Sequence, residues 1–273
     1  MGKDGLGELS SLMFAAERAV DIAADAMTHG RGHVRALIDK GDYGFATVVD
    51  LEVERLVRAH LREHAPDIPF FGEEEGGEDL MADALWMLDP IDGTANYADG
   101  SPLCAISLAL LRHGRPVLGV VAAPLIGERY MAVEGAGAFR NGVQIQVARR
   151  EVGDRLVALS DFAFGSKHRN TNRLRIAVIE ELVRRSMKLR IHGSVALDLA
   201  WLAAGRVSAA IALSNRAWDV SAGVLLVREA GGEVFDERGK AHGPDSSTTL
   251  AAVPELRDAV VSVIATASER PAG

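Results

Sequence analysis

The chain has one cysteine, Cys104, among 273 residues. A single thiol can neither close an internal disulfide nor build a cysteine zinc site. Its neighbours Leu103, Ala105 and Ile106 are apolar, so a buried, inert thiol in a reducing compartment is expected. Long apolar runs are also missing. Stretches such as Leu103 to Leu111 are too short to span a bilayer. The first residues carry no apolar signal core, and Leu6 stands where a myristoylation signal needs Ser or Thr. The expectation is a soluble, cytoplasmic protein. No basic stripe stands out. The 38 acidic residues outnumber 30 basic ones, for a net charge of −8, which argues against nucleic acid as the main ligand. There is no fixed-period repeat, low-complexity tract or long linker.

Apolar residues are plentiful at 48%, ample for one large core or two packed subdomains. Leu9, Leu12, Met13, Ala16, Ala19, Val20, Ala23 and Met27 recur at helical spacing, and glycines stop that helix near His29-Gly30. Residues 31–46 read as irregular or hairpin-like, with a turn at Lys40-Gly41-Asp42. A second helix starts near Val49 or Asp50 and turns Val53, Leu56, Val57, His60 and Leu61 inward. Leu103–Leu111 and Val117–Ala123 form a hairpin at His113-Gly114, and further short strands follow, with a turn at Asn141-Gly142.

Beyond a soft boundary near residue 150 the elements alternate. Strand 156–159 leads through an exposed loop to a helix over 174–187, whose apolar positions are Ile176, Val178, Ile179, Leu182 and Val183. Strand 189–191, helix 194–204, strand 207–213 and helix 218–230 follow. Two short strands and a final helix from Pro254, a residue suited to a first helical position, complete the chain. Such alternation predicts a layered α/β fold, with subdomains of about 1–150 and 151–273 in one domain.

One stretch gathers chemistry. The apolar run Leu85 to Leu88 ends in Asp89-Pro90-Ile91-Asp92-Gly93-Thr94-Ala95-Asn96. Pro90 removes an N–H, so the strand is expected to stop there. Asp89 and Asp92 stand three apart and can aim into one pocket. The amides of Gly93, Thr94 and Ala95 follow at a helix or turn start, a place that attracts anions. Hard oxygen ligands beside an anion site point to Mg²⁺ and a phosphate. A surface Asp-Gly turn is the plainer alternative. Asp50 reads equally as a helix cap, and Asp219, just after Trp218, as a first-turn acid favoured by the helix dipole.

Taken together, four segments resemble the inositol monophosphatase superfamily, the Mg²⁺-dependent, lithium-sensitive phosphatases, and look most like its actinobacterial members. The segments are Thr47-Val48-Val49-Asp50 with Lys40 upstream, Gly72-Glu73-Glu74, Asp89 through Asn96, and Trp218-Asp219-Val220-Ser221-Ala222-Gly223. The resemblance implies an α-β-α-β-α sandwich and a homodimer. It implies roughly two or three Mg²⁺ per subunit, held by Glu73, Asp89, the Ile91 carbonyl, Asp92 and Asp219. It gives Glu73, Thr94 and Asp50 the catalytic work of activating a water, the amides of Gly93 and Thr94 the phosphate, and Asp92, Ser194, Val195 and position 212 the substrate. The family's inositol-binding glutamate falls at Ala212, which has no polar side chain. Hydrolysis of inositol monophosphate, the default that the resemblance implies, is still the leading expectation. The same chemistry on histidinol phosphate, a nucleotide 3′-phosphate or a sugar bisphosphate is the first alternative. A partner-binding protein on this fold is the second. Lys167, His168 and Arg169 form either a solvated loop or a contact for a second negative group.

Overall fold

The computed structural model describes residues 3–31, 37–39, 45–77, 82–148, 156–163, 165 and 168–269. Lys40, its expected turn and Lys167 lie outside them. The described residues form two large sheets between helical layers, with a two-stranded hairpin beside them. α1 (Lys3–Gly30) and α2 (Val48–His64) are amphipathic and lie side by side on one face of the first sheet. A short hairpin, β1 (Leu37–Asp39) and β2 (Phe45–Thr47), leads into α2.

The first sheet is built from β3 (Phe70–Gly72), β4 (Gly76–Gly77), β5 (Ala84–Asp92), β6 (Ala105–Arg112), β7 (Arg115–Ala123), β8 (Glu128–Val133), β9 (Gly137–Arg140) and β10 (Val143–Ile145). Its order is β10-β9-β8-β7-β6-β5-β3-β4. Two-residue turns at His113-Gly114 and Asn141-Gly142 set two of its hairpins. The sheet is buried on both faces, so its central strands read as unbroken apolar runs. Along β6, Ile106, Leu108 and Leu110 face α1 and α2, while Ala105, Ala109 and Leu111 face the opposite core.

That second core holds α5 (Val195–Ala203) and α6 (Ala217–Glu229), which fill the space between the two sheets. The second sheet has the order β12-β11-β13-β15-β14. It comprises β11 (Leu156–Leu159), β12 (Lys188–Arg190), β13 (Ala209–Ala212), β14 (Glu233–Phe235) and β15 (Thr249–Ala252). α4 (Arg169–Arg184) and α7 (Arg257–Ser268) pack together beside it as the outer layer. The layers run α-β-α-β-α, as expected. No helix among the described residues is long and apolar enough to cross a membrane.

Three local expectations need correction. β5 does not stop at Pro90 but runs to Asp92. Its pairing with β6 slips between Asp89 and Asp92, so the residue without an N–H sits where the ladder is interrupted and no bond is lost. In α2, Leu56 is 38% exposed: the buried stripe runs through Val49, Val53, Val57 and Leu61, and Glu54 takes the remaining inner place. α4 begins at Arg169 rather than Leu174, and it buries Arg175, Val178, Glu181 and Leu182. Ile176 and Val183 fall on the far side of its 3.6-residue period and are exposed.

Buried Glu54 ties α2 to the turn after β3. Its carboxylate accepts from the Glu74 and Glu75 amides at 2.8 and 3.0 Å and from Arg58 at 2.6 Å. Gly72 makes room for it, because a Cβ there would lie 2.1 Å from the Glu54 carboxyl carbon. Glu54→Ala should leave two amides unpaired and the Arg58 charge with only the Gly76 carbonyl and the Phe70 ring, lowering the free energy of unfolding in urea by about 3–5 kcal/mol.

Candidate active site

Parallel pairing places the first two acids of the site. β3 runs beside β5 with Gly72 opposite Leu88, and the Glu73 amide extends the ladder to the Leu88 carbonyl at 3.1 Å. Glu73 and Asp89 thereby leave neighbouring strand ends together. α6 packs across β5, β6 and β7 and brings Asp219, in its first turn, to the same point. The Ser107 hydroxyl on β6 donates to the Trp218 carbonyl at 3.2 Å, and Phe71 stacks on Trp218 with ring centroids 5.7 Å apart.

The result is a cavity of about 160 Å³ lined by Glu73, Asp89, Ile91, Asp92, Gly93, Thr94 and Asp219, with Phe45, Ala95 and Arg216. Carboxylate oxygens of Glu73, Asp89 and Asp219 lie within 4.8 Å of one another. Asp89 is 2% exposed, and its Oδ1 is buried with no hydrogen-bond partner. Burial, followed by the charges of Glu73, Asp92 and Asp219, raises the Asp89 pKa well above its ordinary value. Such an arrangement fits a bound divalent cation, which would satisfy the orphaned oxygen and neutralise the crowded charge.

Asp92 lines the same cavity but stands outside the close trio. Its Oδ2 accepts from the Ser194 hydroxyl and from the Ala196 amide, both at 2.6 Å. Burial still pushes its pKa up to about 7. Ser194 is also the N-cap of α5, accepting from the Leu197 amide. Ser194 thus positions Asp92 as well as the helix. The turn itself is tight. Gly93 has φ 88°, and a Cβ there would lie 2.9 Å from the Gly193 carbonyl oxygen. Asn96 donates to the Leu103 and His192 carbonyls at 2.7 Å each, pinning the 192–194 segment against the motif.

Asp50 makes both contacts, the helix cap and the bond to Thr94. It completes a capping box with Thr47, and its Oδ1 accepts from the Thr94 hydroxyl at 3.2 Å. Burial is the chief cause of its raised pKa. Thr94 also donates to the Ile91 carbonyl at 3.0 Å. The first hydrogen bond of the short helix α3 (Thr94–Ala98) runs from the Tyr97 amide to Gly93, so the amides of Gly93, Thr94 and Ala95 precede it.

The substrate side is less regular. Ala212 is buried at the end of β13, opposite Thr249, and neither it nor Val195 lines the cavity. Arg216 does line it, with Nη1 4.0 Å from Glu73 Oε1. Phe45 lines it too. Neither residue was expected: Arg216 has no motif of its own, and Phe45 lies in a stretch without clear periodicity. His192 makes a buried pair with Asp198 at 2.6 Å, and burial pushes the Cys104 thiol up to about 12.

A profile of the Inositol monophosphatase family matches residues 8–270. A Mycobacterium tuberculosis protein named "Probable inositol 1-monophosphatase ImpA" is 40% identical over 262 residues, covering 96% of each chain. A Thermotoga maritima "Fructose-1,6-bisphosphatase/inositol-1-monophosphatase" is 37% identical over 218 residues, 80% of this chain and 81% of its own. A solved Thermotoga maritima IMPase superposes with a TM-score of 0.85 at 31% identity, over 92% of this chain and 96% of its own.

The crowded carboxylates have a cost in the absence of a cation. A carboxyl whose pKa is raised by folding contributes stability below its unfolded value of 3.8 and loses it as pH rises. Asp89→Asn should therefore raise the melting temperature of metal-free protein by about 2–4 °C near neutral pH. The gain over wild type should grow from pH 4 upward, and the Mg²⁺-induced rise in melting temperature should disappear.

Proposed function

Since the chain belongs to the inositol monophosphatase family, we propose that it is a Mg²⁺-dependent phosphomonoesterase that hydrolyses inositol monophosphate to inositol and phosphate. The observation that carries this reading is the convergence of Glu73, Asp89 and Asp219 within 4.8 Å. On this reading the chain is one catalytic domain of two subdomains, 1–150 and 151–273, and works as a cytoplasmic, lithium-sensitive homodimer.

Glu73, Asp89 and Asp219, with Asp92 and the Ile91 carbonyl, would hold the Mg²⁺. When bound, the cation supplies Lewis-acid stabilisation of charge on the phosphoryl and leaving oxygens. The residues do the rest. Thr94 spends its hydroxyl proton on Asp50 and the Ile91 carbonyl, which leaves its lone pairs to accept from the attacking water. The one proton that the water loses goes to Glu73 or, as Thr94 passes its own hydroxyl proton to Asp50, to Thr94 Oγ1. The amides of Gly93 and Thr94 hold phosphate oxygens. Water attacks phosphorus in line, the bond to the alcohol oxygen breaks, and no covalent enzyme intermediate forms. Ser194 and the Ala196 amide keep Asp92 aimed at the cavity.

A second reading keeps this chemistry and changes the substrate to an ester with a further negative group, such as a sugar bisphosphate. Arg216 on the cavity wall favours it. So does the apolar Ala212, which offers a polyol no side-chain hydrogen bond.

Phosphate release from inositol 1-phosphate, with and without Mg²⁺, tests the first reading. Turnover should require Mg²⁺ and vanish in Asp92→Asn. Thr94→Ala should lower kcat by about 10²–10⁴-fold with KM little changed. Absence of turnover on every phosphate ester would refute the enzyme and favour a partner-binding protein. For the second reading, a sugar bisphosphate should be the better substrate, and Arg216→Gln should cut that preference by about tenfold or more.

A further inference from the structure

A second cavity, larger at about 560 Å³, lies on the other side of α6 from the acidic one. The two are back to back. Asn215, Ala217, Val220 and Ser221 face the larger cavity, while Arg216 and Asp219 face the acidic one. The other walls are the β6–β7 turn and the 241–244 segment after β14. Its volume is in the range of small-molecule sites, and its character differs from that of the acidic cavity.

Met87 and Leu111 from the first sheet, with Val220 and Val224 from α6, make its floor apolar. Arg115 and Arg228 stand among its lining residues, and none of those residues is acidic. In a chain of net charge −8, two guanidiniums on one apolar cavity with no carboxylate is a marked asymmetry. Among the described residues, no carboxylate pairs with either arginine. Arg228 is held by a bond from its Nη2 to the His242 carbonyl at 2.8 Å. Both guanidiniums are exposed at the cavity mouth; partial desolvation and then the Arg115 charge lower the Arg228 pKa, so an anion between the two cations would be favoured. The facing wall adds no charge. Burial pushes the His242 pKa down to about 4, and its Nε2 meets Asn215 Oδ1 at 3.2 Å and Thr249 Oγ1 at 3.0 Å.

We propose that this cavity is a binding site for a small organic anion, with a ring-sized apolar body over Met87, Leu111, Val220 and Val224 and its carboxylate or sulfonate between Arg115 and Arg228. The floor offers a polyol no hydrogen bonds and a bare ion no apolar contact, so both halves of the ligand are needed. This site is independent of the phosphatase reading, because it shares no lining residue with the acidic cavity.

The probe is 8-anilinonaphthalene-1-sulfonate, titrated against the full chain and followed by fluorescence, with uncharged N-phenyl-1-naphthylamine as its counterpart. The sulfonate should saturate a single site and bind about tenfold tighter than the amine. The double variant Arg115→Gln, Arg228→Gln should weaken the sulfonate by about tenfold and leave the amine unchanged. Ala241→Trp, an exposed lining position that can fill the mouth, should abolish binding of both. Sulfonate binding that survives either change, or an amine that binds as tightly as the sulfonate, would overturn the proposal.

Discussion

Mutual repulsion of carboxylates crowded around buried Asp89 is the constraint on which the rest of this structure depends. Glu73, Asp89 and Asp219 would separate in a flexible chain, because like charges in a low-dielectric setting repel strongly. Here each is fastened by its backbone. Glu73 and Asp89 leave adjacent parallel strands whose register is set by the Gly72–Leu88 pairing. Asp219 is in the first turn of a helix buried between two sheets. The backbone holds the three acids together, an arrangement that a divalent cation would neutralise.

The supports reach well beyond the cavity. Glu54 on α2 grips the turn that carries Glu73, and Gly72 is bare so that the grip fits. Asn96 and Gly93 bring the loop before α5 against the motif, and Ser194 at the head of α5 holds Asp92. The same few residues cap helices, close turns and aim acids. Asp50 is an example: one oxygen serves Thr47 in the helix cap and the other accepts from Thr94 at the cavity.

Much of the fold was legible because periodicity survives burial. The first helix, the paired turns at His113-Gly114 and Asn141-Gly142 and the alternating second half follow from local pattern. What misled was local too. Pro90 looks like a strand end, since nothing in sequence shows that β6 shifts register opposite it. Ile176 and Val183 look inward, since an apolar side chain does not say which face of α4 meets the sheet. Buried Glu54, Arg175 and Glu181 are invisible to a hydrophobic pattern, because polar partners satisfy them: for Glu54 the amides of Glu74 and Glu75, 20 and 21 residues on, and for Arg175 and Glu181 the nearby Asn172 and Arg185.

By itself, the sequence determined the order of elements and the identity of the acids, because helical and strand periodicity, turn chemistry and the Asp89–Asn96 motif act over a few residues. It also excluded an internal disulfide, through a single cysteine. Only tertiary structure decided which acids meet, that Asp92 turns one oxygen toward α5, that Arg216 rather than Ala212 faces the cavity, and that a second cavity opens behind α6. Those outcomes depend on strand register and on the packing of α6 between two sheets, which join residues more than a hundred positions apart. No local pattern encodes such distances.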